Sequence, residues 1–365
     1  MEKTKAKKYN NIKLALSLSG MAIDLAFWLV LIFSGLNIIL SRFAQGFTDH
    51  LFIHFYIFAG ILGMVSLVIN MPLSFYGGYV VEHKFSLTTQ KFGQWLREQL
   101  KGFLVGIVLG FVLMTIFYYL LWKQPTLWWF YLWLFILAFS ILLSRLAPVL
   151  IFPLFYKFKP LENEAMKERI NNIARKNKLH ISGIFQFNLS KTTKKANAAF
   201  TGIGKTKRVI LGDTLLDNFS EDEIETVFAH EVGHYRYKHL WKGIAINSAL
   251  SLTGLFLVYV VYSAIIGHLD YLPHQLEALP YLGLLLNLYG FITGPISNAI
   301  SRHFEYQADN FAVTETSKPE VYKGCLEKLA DLNLADQQPH PLVEFLFYSH
   351  PSIGHRIEKI SGEMQ

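Results

Sequence analysis

Residues 220–234 read Ser220-Glu221-Asp222-Glu223-Ile224-Glu225-Thr226-Val227-Phe228-Ala229-His230-Glu231-Val232-Gly233-His234. Ser220 with Glu223 three positions later has the pattern of a capping box, so a helix is expected to start there and to bury Ile224, Val227 and Phe228. On such a helix His230 and His234, four apart, share a face, with Glu231 beside them. Two imidazoles one turn apart with an adjacent carboxylate are the pattern of two zinc ligands and a general base. A catalytic zinc takes three protein ligands and keeps a position for water, so a third donor has to come from elsewhere in the chain.

The best candidate is Glu305, in Ser301-Arg302-His303-Phe304-Glu305-Tyr306-Gln307-Ala308-Asp309. Glu305 and Asp309 are also four apart, so one helix can offer the first as a ligand while the second accepts a hydrogen bond from a ligating imidazole and fixes its tautomer. Alone, the pair would read as two solvated charges at a helix end; beside the His230–His234 motif it reads as part of a metal site.

Working outward, the chain becomes too apolar for an ordinary soluble domain. Of its 365 residues 52% are hydrophobic and 17% charged. Six apolar stretches, roughly Leu14 to Leu40, Leu51 to Val81, Phe103 to Trp122, Leu127 to Phe152, Ile244 to Ile266 and Tyr281 to Ile300, are each long enough to cross a bilayer. Crossing takes about 20 helical residues. The expected fold is therefore mainly α, a polytopic helical membrane protein with a small α+β catalytic region.

Loop charges orient it. Lys3, Lys5, Lys7, Lys8 and Lys13 precede the first stretch, and Lys84, Lys91, Arg97 and Lys101 separate the second from the third. The intervening loops hold only Arg42, only Lys123 and, from Gly267 to Pro280, no lysine or arginine. By the positive-inside rule both termini and the polar middle face the cytoplasm, which puts both motifs on one side of the membrane. The basic start followed by an apolar run reads as a retained anchor, because the run is too long for a cleaved signal and lacks a small-residue cleavage site. Positive-inside loops account for most of the formal charge of +7, so nucleic acid is not an expected partner. A single cysteine, Cys325, excludes an internal disulfide and a thiolate zinc cluster.

The chain divides into residues 1–152 with four membrane helices, 153–240 as a cytosolic catalytic region, 241–302 with two further membrane helices, and 303–365 carrying the third ligand. Within the second segment an amphipathic helix is expected from Pro160 to Lys178, then strands at Gly183 to Asn188, Asn197 to Thr201 and Arg208 to Leu211. A strand beside a zinc site could hold an extended peptide by its unpaired edge; an ordinary small sheet is the plainer reading.

Several segments carry a resemblance. Leu150-Ile151-Phe152-Pro153-Leu154-Phe155-Tyr156-Lys157-Phe158 with Pro160-Leu161, then Asn197-Ala198-Ala199-Phe200-Thr201-Gly202, precede the His230–His234 motif. Asn298, Ser301-Arg302, Glu305 to Asp309, His350-Pro351 and Arg356 follow it. In this order they resemble the membrane-integral CAAX prenyl proteases of the zinc type, and the chain looks like a bacterial-sized member. The resemblance implies one zinc ion held by His230, His234 and Glu305, with water activated by zinc and Glu231. It implies that Asp309 and Asn298 support the site, that Asn197, Ala198, Ala199 and Phe200 bind substrate, and that His350, supported by Arg356, stabilises the oxyanion or binds substrate. It implies a ring of membrane helices around a water-filled chamber, in which Asp24, Asn70 and Asn287 could face water or pack between helices. The partners implied are a peptide or protein substrate, prenylated or not, and the lipid bilayer, with a single chain as the working unit. The membrane is the bacterial inner membrane, or the endoplasmic reticulum in a eukaryote.

Two departures stand out. Eukaryotic members have seven membrane helices against the six stretches counted here, which raises the question of how the chamber closes, and Ser352 replaces the second proline of the family's His-Pro-Pro pattern. Competing readings are a quality-control zinc protease for misfolded membrane proteins and a non-catalytic membrane scaffold or transporter. An intramembrane zincin is disfavoured because Glu221, Asp222, Glu223, Glu225, Arg236, Lys238 and His239 flank the motif, and a scaffold has no need of Glu231.

Overall fold

Among the described residues six helices are long and apolar enough to cross a membrane, and they form a closed ring. The computed structural model describes residues 2–201 and 207–362; Gly202 of the quoted Asn197 segment lies outside the described residues. The helices of the first half are α1 (Glu2–Phe33), α2 (Leu36–Gln45), α3 (Leu51–Phe75), α4 (Val81–Lys84), α5 (Phe92–Lys123), α6 (Trp128–Leu146) and α7 (Phe152–Phe155). Wider π turns, Tyr76–Val80 and Ala147–Ile151, join α3 to α4 and α6 to α7, so each pair acts as one long span. In the second half the long helices are α11 (His239–His268) and α12 (Leu279–Thr316).

The first span differs from its expected limits. The apolar run continues to Leu40, but Gly35 takes a left-handed φ of 72° and ends the helix, and α2 sets off as a separate element. Asn37 and Ser41 of α2 donate to the Glu277 carbonyl and carboxylate at 2.8 and 2.7 Å, which ties α2 to the loop before α12.

Around the ring α1 packs on α3, α3 on α5, α5 on α6, α6 on α11, α11 on α12, and α12 back on α1. Six helices therefore close it. In the most apolar window of each span no more than 28% of residues are buried, and in the fourth span none are. A solid six-helix bundle would bury one face of every helix; these helices wall an open space instead. At the end of the ring away from the sheet, Phe55 and Tyr118 stack at 4.1 Å and pack with Leu276, and Trp128, Tyr262, Ala278 and Leu282 share a second buried cluster. Asp24 and Asn287 line a cavity of about 570 Å³ between α1, α3, α5 and α12, and the Asn70 amide donates to Asp24 at 3.3 Å. Asp24 thus both faces open space and pairs between helices.

The remaining elements build a catalytic lobe at the other end. These are β1 (Phe158–Pro160), α8 (Glu164–Lys176), β2 (Gly183–Phe187), β3 (Ala198–Thr201), β4 (Arg208–Gly212), α9 (Asp213–Asn218), α10 (Glu221–Arg236), α13 (Pro319–Asn333), α14 (Pro341–Phe347) and α15 (Ile353–Ser361). The sheet order is β1-β2-β4-β3, with β2 and β4 parallel and β1 and β3 antiparallel to their neighbours. Met166, Ile170 and Ile173 of α8, Val209 and Leu211 of β4, and Ile224, Phe228 and Val232 of α10 share one core with Tyr322 and Leu326 of α13. Helices α11 and α12 run unbroken through positions 240/241 and 302/303, so lobe and ring share two continuous helices.

Candidate active site

The capping box is in place. Ser220 Oγ accepts from the Glu223 amide at 3.3 Å and the Glu223 carboxylate accepts from the Ser220 amide at 2.7 Å, which fixes the start of α10 and the rotation of its later turns. Ile224, Phe228 and Val232 then enter the core, and the His230–His234 face meets α12. Gly233 permits that meeting: a Cβ there would lie 3.0 Å from Ala308 Cα and 3.1 Å from Phe311 Cβ. The two helix backbones approach closely because this position has no side chain.

This crossing brings together three donors 75 residues apart in sequence. His230 Nε2 and His234 Nε2 are 3.1 Å apart, and the Glu305 oxygens lie 3.4 and 3.3 Å from them. Ligands at 2.0–2.1 Å on a tetrahedral zinc stand about 3.3 Å from one another. Each imidazole has one of the two Glu305 oxygens at about that separation, and two nitrogens with one carboxylate suit zinc chemically, so the residues fit the ion.

Behind His230 lies a buried polar group. His230 Nδ1 donates to Asp309 Oδ1 at 2.9 Å, Tyr322 donates to the same oxygen at 2.7 Å, and Arg356 grips the carboxylate with Nε at 2.8 Å and a terminal nitrogen at 2.5 Å. Arg356 also donates to the Tyr322 hydroxyl at 2.9 Å. Burial pulls the His230 imidazole down, but the hydrogen bonds to Asp309 and Glu305 outweigh it and lift it to about 9 in the metal-free chain. Burial and the Asp309 charge push the Tyr322 hydroxyl well up, so it remains a donor. For Arg356 burial works against the charge, and the Asp309 carboxylate more than offsets it. The sequence reading set Arg356 beside His350; its contacts are with Asp309 and Tyr322, behind His230.

Glu231, on the open side of α10, lines a cleft of about 940 Å³ with His234 and Phe200. Phe200 belongs to β3, the end strand of the sheet, whose one partner among the described residues is β4. Ala198 and Ala199 are in the same strand, and the Asn197 carbonyl accepts from the Gly212 amide at 3.0 Å, anchoring the strand's start. His350 reaches the site from the loop after α14, with Nε2 3.5 Å from Glu305 Oε1 and a side chain that is 64% exposed. Asn298 does not touch the three donors. Its amide donates to the Leu346 carbonyl at 2.9 Å, and Arg302 donates to the Glu344 and Tyr348 carbonyls at 3.0 and 2.6 Å, so both hold the end of α14 that carries His350. Ser352 caps α15, and its amide donates to buried Glu344 at 2.9 Å, a bond that a proline there could not make.

Residues 160–364 match peptidase family M48, and residues 2–157 match the CAAX prenyl protease N-terminal family of five membrane helices. The chain belongs to peptidase family M48. Its relatives include the uncharacterized metalloprotease YhfN of Bacillus subtilis, 31% identical over 98% of this chain and 85% of that protein. CAAX prenyl protease 1 of Saccharomyces cerevisiae is 29% identical over 82% of this chain and 70% of that one. The crystal structure of S. mikatae Ste24p superposes with a TM-score of 0.87 at 26% identity, covering 98% of this chain and 89% of that chain. This M48 protein is accordingly a multi-pass membrane metalloendopeptidase, and membership implies a bound metal, typically zinc.

Two residues of this M48 site escaped the sequence reading. Tyr322 belongs to no short motif, and nothing local marks one tyrosine of 18 as the partner of Asp309. His239 read only as polar flank, although its nine-residue distance from His230 was visible.

Proposed function

We propose that this protein is a zinc-dependent endopeptidase that hydrolyses peptide bonds in membrane-associated substrates, including prenylated CAAX-type peptides. The observation that carries the proposal is the close grouping of the His230, His234 and Glu305 donors beside a cleft bounded by an end strand. His230, His234 and Glu305 hold the ion, and zinc when bound polarises the scissile carbonyl and lowers the pKa of water toward 7.

The chain's own residues do the rest. The free edge of β3, from Asn197 to Phe200, holds an extended peptide by strand addition. Glu231 takes a proton from the attacking water as its oxygen bonds to the carbonyl carbon, then returns that proton to the amide nitrogen as the C–N bond breaks. His350, exposed and beside Glu305, donates to the oxyanion, a contribution commonly worth about 3–4 kcal/mol. Asp309, Tyr322 and Arg356 keep His230 in the tautomer that leaves Nε2 free for the ion. The lysine distribution favours cytoplasmic termini. The start of α1 also packs on the lobe, where the Asn10 amide donates to the Leu334 carbonyl at 2.7 Å. A bacterial inner membrane and a monomer with one zinc complete the reading.

The test is zinc content together with chelator-sensitive cleavage of a farnesylated peptide and of an unmodified membrane peptide. Glu231→Gln is expected to keep zinc and to lose about 10²–10⁴-fold in turnover; undiminished cleavage by that variant defeats the mechanism. Equal cleavage of both peptides would move the substrate class to membrane proteins in general, as in a quality-control protease.

A further inference from the structure

The two imidazoles of the site are supported in different ways. His230 backs onto a carboxylate, whereas the ring nitrogen of His234 turned away from the donor cluster, Nδ1, meets another imidazole: His239 Nδ1, 3.0 Å away. His239 is buried, its ring stacks on Phe304 at 4.3 Å with a 7° interplanar angle, and its Nε2 lies 2.8 Å from Gln307 Oε1. Gln307 Nε2 in turn lies 3.0 Å from His303 Nε2. His303 and Gln307 are four apart on α12 and offset by two residues from Glu305 and Asp309, so the same helix supports the two histidines from different faces. Lys238, at a left-handed φ of 57°, turns the chain between α10 and α11 and brings His239 back beside His234.

Only one arrangement of protons satisfies this chain. If His234 offers Nε2 to a metal, its neutral ring carries hydrogen on Nδ1, and that N–H needs an acceptor. His239 must then present a bare Nδ1 and carry its own hydrogen on Nε2, donating to Gln307 Oε1. The amide of Gln307 donates onward to His303 Nε2. We infer that His239 is a positioning residue that selects the metal-binding tautomer of His234 and fixes its ring through this neutral relay, with Gln307 and His303 holding His239 in register. This rests on His234 being a metal ligand. A neutral acceptor orients His234 without adding negative charge, so Asp309 is the one carboxylate behind the two imidazoles among the described residues, and the support of His239 lies in geometry more than in ligand basicity.

Two substitutions separate the acceptor from the ring. His239→Phe keeps an aromatic plane for Phe304 and removes the acceptor, whereas His239→Asn keeps an amide oxygen able to accept and gives up the stack. Zinc affinity of the full-length protein in detergent is measured by competition with a chromophoric chelator, alongside the thermal midpoint of each zinc-free variant. His239→Phe is expected to weaken zinc binding about 10–100-fold with little change in the zinc-free midpoint, and His239→Asn to stay within about threefold of the parent. Equal weakening by both substitutions, matched by a lower zinc-free midpoint, would make His239 a packing residue and overturn the inference. Unchanged affinity in His239→Phe would do the same. His234→Ala is the control that separates the two readings. If it abolishes zinc binding while His239→Phe does not, only the positioning role fails; if it leaves affinity intact, the ligand assignment fails with it.

Discussion

The membrane ring and the catalytic lobe are built on opposite packing principles within one chain. In the ring the apolar windows are almost uncovered by protein, and the helices meet their neighbours along narrow seams around open space. In the lobe the sheet, α8, α10 and α13 share a continuous core, and polar side chains such as Asp309 and Tyr322 are buried and fully partnered. The difference reflects what each part must hold constant. A ring needs only to keep its walls in contact, but a metal site needs three atoms held to a few tenths of an ångström. Helix α12 serves both, lining the ring with its first half and carrying Glu305 and Asp309 in its second.

That contrast can be broken most severely at the donors. Glu305→Ala removes one corner of the tetrahedron, and zinc content by elemental analysis should fall below one-tenth per chain (roughly, from the loss of one of three ligands) with peptidase activity at background. Retained stoichiometric zinc would mean that another group completes the site. A smaller effect is expected one layer back. Tyr322→Phe removes one of the three hydrogen bonds to Asp309 Oδ1 and leaves the Arg356 guanidinium short of an acceptor, so zinc affinity should drop about 10-fold while the protein still binds substrate. An unaltered zinc dissociation constant would show that Arg356 alone holds Asp309.

Acidity offers a graded probe of the same corner. The metal-free His230 titrates at about 9, above its ordinary 6.5, so its charged form stabilises the metal-free fold below about 6.5 and that stabilisation is lost as pH rises through 9. Zinc competes with this proton, so zinc affinity should rise about tenfold per pH unit up to about 9 and then level off. A titration that levels off near 6.5 would remove the influence of Asp309 from the argument. The mildest effect should come from the ring. At Gly254 any Cβ would fall inside the Tyr289 ring across the α11–α12 seam, so Gly254→Leu should cost about 1–3 kcal/mol as a lower thermal midpoint, with zinc per folded chain unchanged. Loss of zinc in that variant would show that ring and lobe are mechanically one unit.

Much of this architecture was legible because it repeats locally. The six spans follow from runs of apolar residues and the start of α10 from Ser220 and Glu223, and the three expected strands fall within two residues of their observed limits. Glu305 stood out as the candidate third donor because its spacing to Asp309 is helical, and the structure brings it to the two imidazoles. What was not legible depends on single backbone angles or on distant partners. Gly35 ends α1 by a left-handed turn inside an unbroken apolar run, so hydropathy saw one span where there are two helices. The three-residue β1 is too short for any period to show. Arg356 and Tyr322 meet Asp309 from α15 and α13, and their place in the sequence does not say which carboxylate they reach.

By itself the amino-acid order determined which side chains share a helix face and which segments belong in hydrocarbon, because both depend on intervals of a few residues or on the length of an apolar run. Tertiary structure alone decided that six helices close a ring, that α10 and α12 cross closely enough at Gly233 to bring Glu305 to the two imidazoles, and that His239 turns back onto His234. These depend on the angle and distance at which helices cross, quantities set jointly by side chains far apart in the chain, which no local interval encodes.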